Sequence, residues 1–136
     1  MRPRSSAGYD FGPFERVIDI GGGKGTLLLE ILQANERAVG VLFDQPHVTE
    51  GVVERIAELG LAGRCTVESG DFFTEVPSGG DAYVLKFILH DWDDANRERI
   101  LSSCRRAIAP GGRLLAIEPW FRRPASPVIR SSTTSR

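Results

Sequence analysis

The stretch Val17-Ile18-Asp19-Ile20-Gly21-Gly22-Gly23-Lys24-Gly25-Thr26 decides how this chain is read. A short β-branched run ends in a turn where four of the five positions 21–25 are glycine, and Leu27, Leu28, Leu29, Ile31 and Leu32 then repeat at helical spacing. Strand, glycine turn and helix together present backbone N–H groups and a helix N-terminus to a ligand. Side chains in such a turn would block close approach, and some of its positions need a positive φ. The loop is built for something nucleotide-like.

Three kinds of glycine-rich turn compete for that description. A phosphate-binding loop needs Ser or Thr after its lysine, and Lys24 is followed by Gly25. A dinucleotide fingerprint G-x-G-x-x-G would begin at Gly21 and Gly23 but meets Thr26 in place of the third glycine. What stands here is Asp-x-Gly-x-Gly-x-Gly at Asp19, Gly21, Gly23 and Gly25. That pattern resembles the first motif of S-adenosylmethionine-dependent methyltransferases, whose ligand carries no phosphate.

The chain's 136 residues fit one domain able to bury a core. A net charge of −1 favours neither nucleic acid nor membrane as a partner. The ends are arginine-rich, which leaves residues 14–120 mildly acidic and suited to a cationic ligand. Cys65 and Cys104 lie among apolar neighbours and read as reduced core residues. With no secretory segment and no apolar run long enough to span a bilayer, the expected compartment is the cytoplasm.

Residues 1–13 read as a loose leader, 14–120 as the folded core and 121–136 as a disordered tail poor in residues to bury. Within the core the first strand is expected near Arg16–Ile20 and its helix from about Lys24 to Ala34, closed by Asn35. The apolar run Ala38–Phe43 reads as a parallel strand covered on both faces. A second helix is expected from Pro46 to Gly60, and further strands at Cys65–Glu68, Ala82–Phe87 and Arg113–Glu118. His90-Asp91-Trp92-Asp93-Asp94 opens a third long helix, its acids matching the helix dipole. This alternation predicts a doubly wound α/β sheet whose ligand sits beyond the carboxyl ends of the strands.

Several chemically useful residues fall at those ends. Asp44 ends the second strand, where an acid can accept from both ribose hydroxyls or simply cap the following helix. Asp71 is either an acceptor for an adenine amino group, with Phe72 packing on the ring, or a turn aspartate beside core aromatics. His90 follows the fourth strand and, with an ordinary pKa of about 6.5, suits proton removal near neutrality. Glu118 ends the fifth strand and either orients His90 or is a solvated strand end. His47 needs no function. A metal reading of His90, Asp91, Asp93 and Asp94 is poor, because the helix dipole already accounts for the acids.

Taken together, the motifs at Val17–Leu28, Phe43–Val48, Gly70–Phe73, Leu85–Asp94 and Ala109–Gly112 resemble those of one family. It is the small-molecule O-methyltransferases that include plant caffeate-type, hydroxyindole-type and bacterial polyketide-tailoring enzymes. The resemblance covers about Tyr9 to Trp120 and implies a Rossmann-like fold binding S-adenosyl-L-methionine. It implies cofactor contacts at Gly21 and Gly23, Asp44 on the ribose, Asp71 with Phe72 on the adenine, and Lys86 approaching from the fourth strand. His90 would be the general base, Glu118 a flanking acid and Asp91 a helper in positioning, with no metal required.

Members of that family also carry a helical N-terminal region that dimerises and covers the acceptor pocket, and two further strands. Neither is expected here, so the resemblance implies a core truncated after the fifth strand, with that strand an open edge and methyl transfer impaired. A non-catalytic cofactor-binding module and an NAD-dependent oxidoreductase remain as alternatives. The small-molecule hydroxyl acceptor cannot be named from these residues.

Overall fold

The computed structural model describes residues 11–86, 88–118 and 128–133, the side chains of His90, Glu118 and residues 128–133 excepted. In chain order the elements are β1 (Arg16–Ile20), α1 (Thr26–Ala34), β2 (Val39–Asp44), α2 (Val52–Glu58), β3 (Cys65–Ser69), β4 (Ala82–Lys86), a 3₁₀ turn (Leu89–Asp91), α3 (Asp94–Ala107), β5 (Arg113–Glu118) and β6 (Val128–Thr133). They form one sheet in the order β3-β2-β1-β4-β5-β6. The first five strands run parallel. The doubly wound α/β architecture expected from the sequence is the one observed.

Strand alternation explains how the sheet is covered on both sides. In β1 and β4, Val17, Ala82 and Val84 face the cluster that contains Leu28, Leu29 and Leu32 of α1 and Val52 and Ile56 of α2. Their neighbours Ile18, Ile20, Tyr83 and Leu85 face the opposite cluster, where Ile100 and Cys104 of α3 pack. Each central strand is therefore apolar at consecutive positions. Both cysteines are buried free thiols, and burial pushes Cys104 up to about 12.

The topology puts the order reversal beside β1, which pairs with β2 on one side and β4 on the other. Asp81 locks this junction from below, its carboxylate accepting from the Glu15 and Arg16 backbone N–H groups at 2.9 Å each. At the far end of α1, Arg64 donates to the carbonyls of Leu32, Asn35 and Ala38 at 2.9, 3.1 and 2.9 Å. A cation there satisfies carbonyls that the helix itself leaves unpaired and complements its dipole.

The third helix starts at Asp94 rather than at His90, because Trp92 is extended at φ −126 and ψ 155 and leaves His90 and Asp91 in a separate 3₁₀ turn. Three further expectations differ from the structure. The second helix begins at Val52 rather than Pro46, because Gly51 sits at φ 85, a left-handed conformation that an α-helix cannot run through. Pro46 instead belongs to a turn closed by Val48 N–H on the Gln45 carbonyl. The leader does not stay loose up to Pro13: Phe11 is 2% exposed and packs in the core, with Phe14 against it. Residues 1–10 lie outside the described residues.

The last difference is at the C-terminal side. Residues 128–133 fall in the stretch expected to be disordered, yet they form β6, antiparallel to β5 from Arg113↔Thr133 to Glu118↔Val128. The fifth strand is therefore not an open edge. Unpaired backbone groups along β5 are the driving force, and β-branched Val128, Ile129 and Thr133 suit a strand without needing a deep core. The remainder of the expected tail, 121–127 and 134–136, lies outside the described residues.

Replacing Arg64 by Met keeps most of the stem but removes the donors to three carbonyls. Urea unfolding is expected to show a loss of about 2 kcal/mol, the scale of hydrogen bonds to a charged group in a partly buried setting. An unchanged midpoint would mean that solvent caps α1 equally well.

Candidate functional site

The turn after β1 has Gly21, Gly23 and Gly25 at φ 69, 61 and 77. Gly21 N–H donates to the Phe43 carbonyl at 2.7 Å, which fastens the turn to the end of β2. Gly23 N–H donates to Asp44 Oδ2 at 2.9 Å. Gly25 then caps α1 through its backbone alone, donating to the Gly22 carbonyl and accepting from Leu29 N–H at 2.8 Å. Nothing lies within 4 Å of where a Cβ on Gly23 would stand, so that glycine is required by its backbone and leaves open space.

Gly21 and Gly22 are required by crowding as well. A Cβ on Gly21 would lie 2.6 Å from Ile88 Cδ1 and 3.3 Å from Phe72 Cε2. Segments after β3 and β4 thus close over the turn. A Cβ on Gly22 would lie 2.3 Å from Leu42 and 2.6 Å from the Asp19 carboxyl.

Asp44, the last residue of β2, is half-buried and accepts from Gln45 N–H through Oδ1 at 2.8 Å as well as from Gly23. It does not cap α2, whose N-cap is Gly51. Asp71 is exposed and makes the bonds of a turn aspartate, accepting from Phe73 N–H at 2.9 Å and from the Thr74 hydroxyl at 3.3 Å. Phe72 meets Phe73 edge-on at 5.1 Å and Trp92 at 6.5 Å, with the Phe73 and Trp92 rings 4.8 Å apart. These three half-buried rings form one wall of the rim beside the glycine turn.

Lys86 ends β4 and shares a cavity of about 110 Å³ with Asp19, Gly21, Gly22, Thr26 and Leu27. His90 and the exposed Asp91 occupy the 3₁₀ turn that follows, and this turn packs against β5. Glu118 is the last residue of β5. All nine residues singled out in the sequence thus stand at or just past carboxyl ends of strands, or in the turn after β1. Among the described residues, no group of three or more His, Cys, Asp and Glu is arranged to hold a metal ion.

One residue of this rim had no role assigned from the sequence. Asp19 is 3% exposed, and burial lifts its carboxyl from the ordinary 3.8 to about 7; Lys86 opposes the rise and Asp44 adds to it. Strand parity is the signal that could have found it: Asp19 lies two residues from Val17, on the face that α1 covers.

The fold has clear counterparts. Residues 5–132 match the O-methyltransferase domain family, and the chain belongs to it. It is 53% identical over 110 residues to the phenazine O-methyltransferase PhzM of Lysobacter antibioticus, covering 81% of this chain and 32% of that protein. It is 46% identical over 110 residues to the O-demethylpuromycin-O-methyltransferase of Streptomyces alboniger, covering 81% of this chain and 29% of that one.

Among solved structures it resembles NcsB1, an O-methyltransferase from neocarzinostatin biosynthesis in complex with S-adenosylmethionine and 2-hydroxy-5-methyl naphthoic acid. That match has a TM-score of 0.77 at 40% identity and covers 81% of this chain and 34% of NcsB1. The chain thus spans about a third of the length of the relatives it matches.

The raised Asp19 pKa fixes a sign for the pH dependence of stability. The folded state holds this proton more tightly than the unfolded chain, so its contribution is full below about pH 4 and declines as pH rises to about 7. Urea midpoints of the parent minus those of Asp19→Asn are expected to fall across that window and then level off. A flat difference would show that Asp19 is ionised in the fold throughout.

Proposed function

We propose that this chain is the cofactor-binding core of an S-adenosyl-L-methionine-dependent O-methyltransferase acting on a hydroxyl of a small, phenol-like acceptor. The observation that carries the reading is the glycine turn held by Asp44 beneath Phe72, open at Gly23 and facing the rim. A carboxylate has about four lone-pair sites. Asp44 uses two of them on backbone N–H groups, which leaves two for the paired hydroxyls of a ribose.

Asp71 keeps acceptor capacity in the same way and takes the adenine amino group, with Phe72 against the ring. Gly21 and Gly23 let the cofactor lie on the backbone. Lys86 meets it from β4, where Asp19 provides an opposite charge when ionised. The mildly acidic core suits a positively charged ligand.

When bound, S-adenosyl-L-methionine supplies a methyl group on a sulfonium sulfur, already activated for transfer. This chain contributes alignment and proton removal. His90 would take the hydroxyl proton of the acceptor, leaving its oxygen free to receive the methyl group that the cofactor would supply. Glu118 orients and supports the imidazole, and Asp91 helps to position the turn. No metal enters the scheme. The partner is a small molecule rather than nucleic acid or membrane, and the working compartment is the cytoplasm; among the described residues no helix is long and apolar enough to cross a membrane.

An amine acceptor is the second reading. It is favoured by 44% identity to the 8-amino-8-demethylriboflavin N,N-dimethyltransferase of Streptomyces davaonensis, over 112 residues that cover 81% of this chain and 32% of that protein. Parallel panels of phenols and arylamines separate the two.

Calorimetry with S-adenosyl-L-methionine is expected to give a saturable heat. Asp44→Ala should weaken binding by about tenfold or more, the equivalent of about 1.4 kcal/mol. Absence of heat at millimolar ligand overturns the cofactor assignment. In a methylation assay with a phenol panel, His90→Ala should lower turnover by about 10²–10⁴-fold at unchanged cofactor affinity. A chain that binds the cofactor yet stays silent on both panels would be a binding module.

A further inference from the structure

The 3₁₀ turn that carries His90 is short, and residues in and beside it, Ile88, Leu89 and Trp92, pack on the core cluster of Ile100 and Cys104. The turn is three residues long and has no side-chain cap at its N-terminus. Its closing hydrogen bonds, Asp91 N–H to the Ile88 carbonyl and Trp92 N–H to the Leu89 carbonyl, are both 3.2 Å. So short a 3₁₀ segment has weak hydrogen-bond geometry and does not hold its shape unaided.

Arg97 adds a polar restraint to the packing of Leu89 and Trp92 on the core. It lies in the first turn of α3, half-buried, and its backbone N–H donates to the Asp93 carbonyl at 2.9 Å. Its Nε donates to the Leu89 carbonyl at 3.0 Å and to the Trp92 carbonyl at 2.8 Å. These two carbonyls bracket His90 and Asp91 in the chain. The remaining donor recorded for its guanidinium, Nη1, reaches only the exposed Asp94 at 3.3 Å, a contact that adds little. The single Nε–H is shared between the two carbonyls in a three-centre bond, and its charge makes it stronger than either neutral bond of the turn.

The anchorage also reaches the cofactor side of the rim. Trp92, whose carbonyl Arg97 holds, has its ring against Phe73 and Phe72, and Phe72 abuts the glycine turn at Gly21. We propose that Arg97 is a positioning residue for the methyl-transfer site: by clamping the carbonyls on either side of His90, it fixes the base-carrying turn relative to the glycine rim. This rests on the reading of His90 as the general base. Arg97 itself touches neither acceptor nor cofactor.

The test uses the chain's two histidines, with His47 as the internal reference for His90. In Arg97→Gln, amide exchange at Leu89–Trp92 is expected to quicken by about tenfold or more, because the turn opens more readily. The His90 imidazole proton signals should shift or split, while His47 stays in place. Affinity for S-adenosyl-L-methionine, read by calorimetry, should fall by less than in Asp44→Ala, which removes a direct cofactor contact.

Should Arg97→Gln unfold, Arg97→Lys carries the same readouts: it keeps a cation near the carbonyls but loses the guanidinium geometry, and should show the same changes at smaller size. Parent-like exchange and parent-like His90 signals in the folded variant overturn the proposal. Failure of the base assignment looks different: His90→Ala would leave methyl transfer intact while the exchange change in Arg97→Gln persisted.

Discussion

The hydrogen bond from Gly23 N–H to the Asp44 carboxylate joins the ends of two strands separated by a whole helix, and the rim is arranged around it. With Gly21 N–H on the Phe43 carbonyl, it sets the turn after β1 at a fixed height above the end of β2. The left-handed conformations at Gly21, Gly23 and Gly25 are tolerable only because no side chains are present. Crowding by Ile88, Phe72, Leu42 and Asp19 then leaves the turn little freedom to relax. Pre-set geometry of this kind means that a ligand need not order the loop at its own expense.

Around that junction, parallel pairing does the long-range work. Each strand that neighbours β1 or β4 brings its following loop to the same edge, so residues distant in sequence meet without contacting one another in the strands themselves. Asp81 at the opposite edge ties the start of β1 to the start of β4, and Arg64 ties α1 to β3. The two charges serve backbone groups rather than each other. They are architectural, and they lie away from the rim that carries Asp19, Asp44 and Lys86.

Most of the fold was legible because it rests on periodicity and glycine punctuation. The boundaries of β1 and β5 follow the apolar runs, and Asp94 falls in the first turn of α3, where the dipole favours an acid. The reading failed where backbone conformation overrode composition: Pro46 looked like a helix start, but Gly51 decides where α2 begins. It failed again at β6, where two apolar residues, Val128 and Ile129, followed by Arg130 and Ser131 give too short a run to read as a strand. In the site, the positions of Asp44 at the end of β2 and of Phe72 just after β3 were readable. The hold of Arg97 on the Leu89 and Trp92 carbonyls was not, because it exists only once the 3₁₀ turn has folded back toward α3.

The buried carboxyl of Asp19 has one more consequence. Burial pushes its carboxyl up to about 7, so it holds a proton well above the usual carboxylate range in a small chamber it shares with Lys86. Any guest that brings positive charge into that chamber will expel part of a hydrogen ion into the surrounding medium. The enthalpy recorded for its arrival must therefore depend on which buffer takes up that hydrogen ion, and phosphate and Tris would report different heats for one and the same encounter.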